Sequence, residues 1–240
     1  MKIFSVFGFD IEKFYCYSKI VITALLPMKA NSERVPNKNF KSIAGKPLFD
    51  WMLSTLCSLD VIDRVIINTD ANEDLFSSYL DNNKIILRKR SPNLCGDLVS
   101  MNKIIEDDIL NDENNIFLMT HTTNPLISKE TFKKAIEIFI HRDKSLFDSL
   151  YSTTKFQGRF YYEGSVAINH SPDELLRTQD LPPVFLENSC LYLFEKATFL
   201  QTKTRIGKKP ILFVTPQLES VDIDTEDDWL VASLLFSQKW

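Results

Sequence analysis

The chain has 240 residues, 28 basic against 32 acidic side chains for a formal charge of -4, and 44% hydrophobic content. That length supports one sizeable core, and the composition excludes collagen-like, low-complexity and disordered classes. An acidic balance also excludes nucleic acid or an anionic membrane as a partner held by overall charge, and no basic patch stands out beyond one loop near the start.

Residues 1–20 carry aromatics broken by Asp10, Glu12 and Lys13. They lack the basic start and unbroken apolar run of a signal peptide. They read equally as an extra edge strand over 3–9 or as a loosely ordered extension of unknown role. No run of about 18 apolar residues exists, so no membrane span is expected. Cysteines at 16, 57, 95 and 190 are scattered, without C-x-x-C pairs or histidines at ligand spacing. Neither a zinc site nor a disulfide framework follows, and a reducing cytoplasm fits best.

The apolar run 20–26 reads as a buried strand. Gly45-Lys46-Pro47 opens a helix over 47–59 with Leu48, Trp51, Met52, Leu56 and Leu59 on one face. The loop between them, 27–39, is then the first strand-to-helix crossing of an α/β unit, the edge at which such sheets bind ligands. It gathers Lys29, Arg34 and Lys38 with Asn31, Ser32 and Asn39. These side chains can make charge-assisted bonds to phosphate oxygens, while Pro27 and Pro36 stiffen the loop. A merely solvated basic loop is the alternative.

A strand over 65–67 ends at Asn68-Thr69-Asp70, followed by an acidic helical start at Asn72-Glu73-Asp74. A strand at 84–87, a helix at 98–110 and a strand at 116–119 come next. Ser128, with Glu130 and Thr131, opens a helix in which Phe132, Ala135, Ile136, Phe139 and Ile140 keep the 3.6-residue period. This alternation predicts an α/β fold, a mostly parallel sheet covered by helices on both faces.

The rhythm breaks after Leu146. Residues 148–187 are rich in Ser, Thr, Tyr, Pro and Gly, with short candidate strands at 149–153 and 159–162. They read as a small inserted arm, serving dimerisation or lid closure, or as a plain surface excursion. Strands resume at 189–194 and 211–214, and Val221-Asp222-Ile223-Asp224 leads into a helix over 225–235. No fixed-period repeat and no separating linker is visible, so 21–240 is read as one domain.

Four clusters fall at strand ends: the loop 27–39; Arg88-Lys89-Arg90-Ser91-Pro92 with Asp97 and Ser100; Thr120-His121-Thr122-Thr123-Asn124-Pro125; and Asp222-x-Asp224. Two carboxylates spaced by two on an extended segment project to one face. Beside a phosphate-binding loop they suit Mg²⁺, which takes one or two protein oxygens and completes its shell with water and phosphate. The alternative, an acidic helix start that favours the dipole, accounts for Glu226, Asp227 and Asp228. His121 is balanced between a catalytic and a packing role, and His141 and His170 receive none. Ser32 has no visible His-Asp partners, and neither G-x-G-x-x-G nor a P-loop is present.

At these residues the chain resembles the acylneuraminate cytidylyltransferase family. Pro27 to Asn39 aligns in register with the family's opening P-A-R-G-G-S-K-x-x-P-x-K-N, and Gly45-Lys46-Pro47-Leu48 with G-K-P-L. Arg90-Ser91-Pro92 with Asp97 and Ser100 resembles R-x-P…D-x-x-S, and Thr123-Asn124-Pro125-Leu126 resembles T-S-P-L. Arg177-Thr178-Gln179-Asp180 and Asn188 to Tyr192 resemble R-x-Q-D…N-G-x-x-Y, and Asp222-Ile223-Asp224-Thr225 matches D-I-D-T. The resemblance implies a Rossmann-like nucleotidyltransferase that uses CTP and Mg²⁺ to convert a 2-keto acid sugar to its CMP derivative, releasing pyrophosphate. It also implies a homodimer joined through the arm. On the same basis Lys29, Ser32 and Lys38 hold triphosphate, Asn39, Arg90 and Ser100 recognise the nucleotide, and Arg34 joins the substrate- and nucleotide-binding set. His121, Thr123, Gln179 and Tyr192 line the sugar, Asp222 and Asp224 carry the metal, and Lys29, Lys38 and Asp224 serve catalysis. Lys29 stands for the usual arginine, Ala30 and Asn31 for glycines, Glu33 for lysine, His121 for glutamine and Asn124 for serine. Two other readings are the same fold acting on another base or sugar, and a non-catalytic nucleotide-sugar-binding relative.

Overall fold

The structure, a computed structural model, describes residues 20–239. The strand expected at 3–9 lies outside the described residues, as does the rest of the extension before Ile20. β1 (Ile22–Leu25) is buried along its whole length, as a strand must be when helices cover both faces of a sheet. A tight turn at Ala44 and Gly45, with φ of 49° and 91°, folds β2 (Ser42–Ile43) onto β3 (Lys46–Pro47). Positive φ at both central residues gives the twist that such hairpins need, and glycine adopts it freely. Pro47 is then the residue capping α1 (Leu48–Cys57), just outside its first turn.

β4 (Ile62–Thr69), β5 (Ile85–Lys89), α2 (Met101–Leu110), β6 (Ile116–Met119) and α3 (Lys129–Ile140) follow in order. The acidic start at Asn72 opens a 3-10 turn, Glu73–Tyr79, in place of the expected α-helix. The α2 helix begins later than its apolar pattern suggests because the Ser100 hydroxyl accepts from the Asn102 N–H and caps it. Ser128 caps α3 in the same way, accepting from the Thr131 N–H.

The rest comprises β7 (Ser149–Phe156), the small hairpin of β8 (Tyr161–Tyr162) and β9 (Val166–Ala167), β10 (Val184–Glu195), α4 (Lys196–Thr202), β11 (Pro210–Val214) and α5 (Glu226–Lys239). Most of both ends of the segment 148–187 therefore lies in the central sheet, as β7 and the start of β10, and 157–183 form the excursion between them. Polar β7 is buried because its hydroxyls find partners. Ser152 Oγ accepts from the Leu191 N–H at 2.9 Å, and Thr154 Oγ1 accepts from Asn188 at 3.0 Å.

Among the described residues seven strands form one sheet in the order β11-β7-β10-β6-β1-β4-β5. Every neighbouring pair is parallel except those of β10, which runs antiparallel to both β6 and β7. Helices α1 and α3 bury Phe49, Met52, Phe132 and Phe139 in one layer of core, while α2 and α4 bury Ile105, Ile109 and Phe199 in another. α5 closes over α1, with Trp51 and Phe236 rings 4.4 Å apart. The chain runs from β1 outward to β4 and β5, then crosses to β6 on the other side of β1. That reversal of strand order leaves a crevice at the carboxyl ends of β1 and β6. Among the described residues, no helix is long and apolar enough to cross a membrane.

Candidate active site

The loop after β1 is pinned at several points. Met28 donates its N–H to Asn68 O at 3.0 Å, Ala30 donates to Asp70 Oδ1 at 2.7 Å, and Val35 is fully buried. Asn39 closes the loop: its Nδ2 donates to Lys29 O at 2.7 Å, and its Oδ1 accepts from Thr122 Oγ1 at 2.6 Å. Two chain segments on either side of the strand reversal are thereby tied together.

This loop lines a cavity of about 510 Å³ at the crevice. Of the residues singled out in the sequence, Lys29, Ser32, Arg34, Lys38, Asn39, Arg90, His121, Thr123, Asp222 and Asp224 all line it. Ile223 is fully buried and its N–H donates to Thr123 O at 2.8 Å. The two flanking aspartates thus face the other way, into the cavity. Behind them, Thr225 and Asp228 form a reciprocal cap of α5, with Asp228 Oδ2 accepting from the Thr225 N–H at 2.8 Å and Thr225 Oγ1 accepting from the Asp228 N–H at 3.2 Å. Asp228 also accepts from the Asp224 N–H at 3.1 Å, so the acidic helix start holds the aspartate pair in place.

Lys38 is buried and donates to Ile223 O at 2.6 Å and Asp224 Oδ1 at 3.2 Å, while Arg34 meets Asp224 Oδ2 at 3.1 Å. Lys29 pairs with Asp97 at 2.6 Å, and its hydrogen bond and charge hold the Asp97 carboxyl below the ordinary range. Asp222 behaves differently. Burial pushes its carboxyl up, opposed by a Thr123 hydrogen bond, and its Oδ1 is buried with no hydrogen-bond partner among the described residues. A buried carboxylate oxygen lacking a donor, beside a second carboxylate, is the atom a hard cation would satisfy.

Arg90 is buried beneath the cavity, and burial lowers its guanidinium from the ordinary value. Its Nε donates to Asn68 Oδ1 at 2.9 Å, and Nη2 donates to Asn68 O and Met28 O. Asn68 is oriented in turn by Asp108, whose Oδ1 accepts from Asn68 Nδ2 at 2.8 Å. Burial raises Asp108 to about 7. His121 is driven the other way, to about 3, by burial and then by Arg205, so it is a neutral imidazole at working pH.

Ser100, Gln179 and Tyr192 do not line this cavity. Ser100 caps α2 and borders a separate cleft of about 240 Å³. Gln179 is exposed in a 3-10 turn of residues 157–183. Tyr192 is buried behind the wall with its hydroxyl bonded to Glu187 and Ser189, and burial raises its pKa. Sequence reasoning missed Arg205, Asn68 and Asp108. Asn68 had one legible signal, a lone amide closing an apolar strand, whereas Arg205 and Asp108 acquire partners only through contacts distant in the chain.

The profile of the family described as Cytidylyltransferase matches residues 23–223. An N-acylneuraminate cytidylyltransferase of Streptococcus agalactiae is 24% identical over 210 residues, 86% of this chain and 51% of that protein. A pseudaminic acid cytidylyltransferase of Campylobacter jejuni is 26% identical over 220 residues, 88% of this chain and 94% of that one. The chain thus spans about half the length of the first of these relatives. The solved structure of a CMP:2-keto-3-deoxy-manno-octonic acid synthetase complexed with CTP superposes with a TM-score of 0.62 at 13% identity, covering 91% of this chain and 99% of that chain.

Proposed function

Because this chain belongs to the cytidylyltransferase family, we propose that it transfers CMP from CTP to the anomeric hydroxyl of a nonulosonic acid and releases pyrophosphate. One observation carries the reading: the cationic loop 27–39 and the pair Asp222 and Asp224 wall the same cavity at the strand reversal. The relatives' names supply the base and the class of acceptor.

In this reading Lys29, Ser32, Arg34 and Lys38 take the triphosphate oxygens, with Lys29, Lys38 and Asp224 closest to the chemistry. Arg34 and Lys38 exchange the Asp224 carboxylate for phosphate, which frees that carboxylate. Asp222 and Asp224 would hold Mg²⁺, and the orphaned Asp222 Oδ1 supports this. The bound ion would supply Lewis-acid neutralisation of charge growing on the phosphoryl oxygens. The acceptor hydroxyl gives up its proton to solvent and its oxygen bonds to the α-phosphorus as the bond to the pyrophosphate oxygen breaks, while the fixed cations stabilise the departing charge without reorganising. Asn39 and Arg90 hold the nucleotide, with Ser100 fixing the start of α2 nearby. Neutral His121 and Thr123 contribute hydrogen bonds to the sugar, and Tyr192 supports that wall from behind.

We place the protein in the cytoplasm, where CTP is at hand and the free Cys57, Cys95 and Cys190 stay reduced. A homodimer through residues 157–183 completes the proposal. That segment exposes Tyr161, Tyr162, Val166 and Leu175, an apolar surface suited to a second copy. Gln179, outside its own cavity, would reach a sugar only across such an interface. The test is pyrophosphate release with Mg²⁺ from each nucleoside triphosphate. The acceptor panel is an N-acylneuraminic acid, pseudaminic acid and 2-keto-3-deoxy-manno-octonic acid. Release with CTP and one acid is expected; tight CTP binding with silence across the panel would mark a non-catalytic relative.

A further inference from the structure

The proposed reaction brings two anions into one cavity, the triphosphate and the acceptor's carboxylate. Three cavity cations, Lys29, Arg34 and Lys38, come from the loop after β1, and each already meets a carboxylate at 2.6–3.2 Å. Arg90 spends Nε and Nη2 on Asn68 and Met28. Arg205, between α4 and β11, also lines the cavity and is bonded quite differently.

Its guanidinium lies 3.9 Å above the Tyr192 ring, which fixes the plane of the fork. Its polar contacts are long or weak: Glu187 Oε1 at 3.5 Å from Nη2, His121 Nε2 at 3.4 Å and Met119 Sδ at 3.8 Å from Nη1. Glu187 already accepts from the Tyr192 hydroxyl. Among the described residues this half-buried guanidinium has no acceptor closer than these, so it is oriented but held only by long, weak polar contacts. A carboxylate is its geometric complement, with two oxygens matching two parallel N–H groups.

We propose that Arg205 receives the carboxylate of the acceptor and thereby restricts this site to acid sugars. The inference rests on the cytidylyltransferase reading and names the group that reads the second substrate. Arg205→Met keeps the apolar stem over Tyr192 and removes the charge; Arg205→Lys keeps the charge and loses the fork.

The experiment measures KM for the preferred acid and for its C1 carboxamide, with CTP affinity as the check that the cavity is intact. Arg205→Met should raise the acid's KM roughly 10- to 100-fold, the loss of one charge-assisted pair. CTP affinity should stay within about twofold, and Arg205→Lys should recover part of the loss. Wild type should prefer acid over carboxamide, and Arg205→Met should not. An unchanged acid KM, a retained preference for the acid, or an equal loss of CTP affinity overturns the assignment. If the wild type transfers CMP to no acid, the proposed function fails, and calorimetric binding of each acid of the panel still decides this one. Weaker binding to Arg205→Met supports it; equal binding, or none to the wild type, refutes it.

Discussion

Asp224 sits between two cations, its Oδ1 on Lys38 and its Oδ2 on Arg34, in the ligand-free chain. Replacing it by asparagine removes the charge that both the cations and a metal would use, while leaving the exposed volume intact. Turnover of Asp224→Asn should fall roughly 100-fold or more with the thermal midpoint little changed, which steady-state kinetics and a melting curve would read together. Asp108 makes a different prediction, because burial holds its folded value near 7 against about 3.9 unfolded. The folded state then binds the extra proton, so stability is greatest below the ordinary carboxylate range and is lost as pH rises toward about 7. Urea titrations at about pH 5 and about pH 8 should show the wild type losing stability relative to Asp108→Asn by up to a few kcal/mol. At this scale the cationic side of the cavity was legible in the sequence, since Lys29, Arg34 and Lys38 crowd one loop. The Asp108–Asn68–Arg90 chain was not, because it joins three separate elements.

Among the elements, α1 and α3 could be read from their period because their buried residues recur every third or fourth position. Phe49 of α1 packs edge-on against Phe40, Phe76 and Tyr79 with centroids 5.1 to 5.6 Å away. Phe49→Ala should therefore cost about 3–5 kcal/mol in a urea titration. Strand β7 was legible only in part: 149–153 stood out as a short candidate strand, but its buried Ser149, Ser152, Thr153 and Thr154 placed it in an inserted arm rather than in the central sheet. The hydroxyls of Ser152 and Thr154 meet β10 and that of Thr153 meets Phe213 O of β11, while Ser149 Oγ donates to its neighbour Asp148 and accepts from the Gly207 N–H, so most of these partners lie beyond any local pattern. β10 carries its own irregularity: the register shifts between Glu187 and Tyr192, and Ser189 adopts φ of 59° where the family motif has glycine. A β-branched residue tolerates that conformation poorly, so Ser189→Val should cost roughly 1–3 kcal/mol and crowd the cavity it lines.

For the whole molecule, the strand order could not be deduced from alternation, because one antiparallel strand enters a set of parallel ones from far along the chain. The cavity's position follows from that order, with the four clusters named from the sequence converging where it reverses. The proposed dimer belongs to this scale as well. Charges placed at Tyr162 and Leu175, as Tyr162→Glu with Leu175→Glu, should convert a dimer to a monomer in light scattering without lowering the melting temperature. The placement of β10 between β6 and β7 has a consequence for biosynthesis. The half-sheet from β5 to β6 is complete once Met119 is made, yet its inner edge stays open until Val184–Glu195 has left the ribosome. During that interval the hydrogen-bonding groups of Ile116–Met119 can recruit strands from other nascent chains. Fragments ending before residue 184 should accordingly precipitate, whereas those that include β10 should remain dispersed.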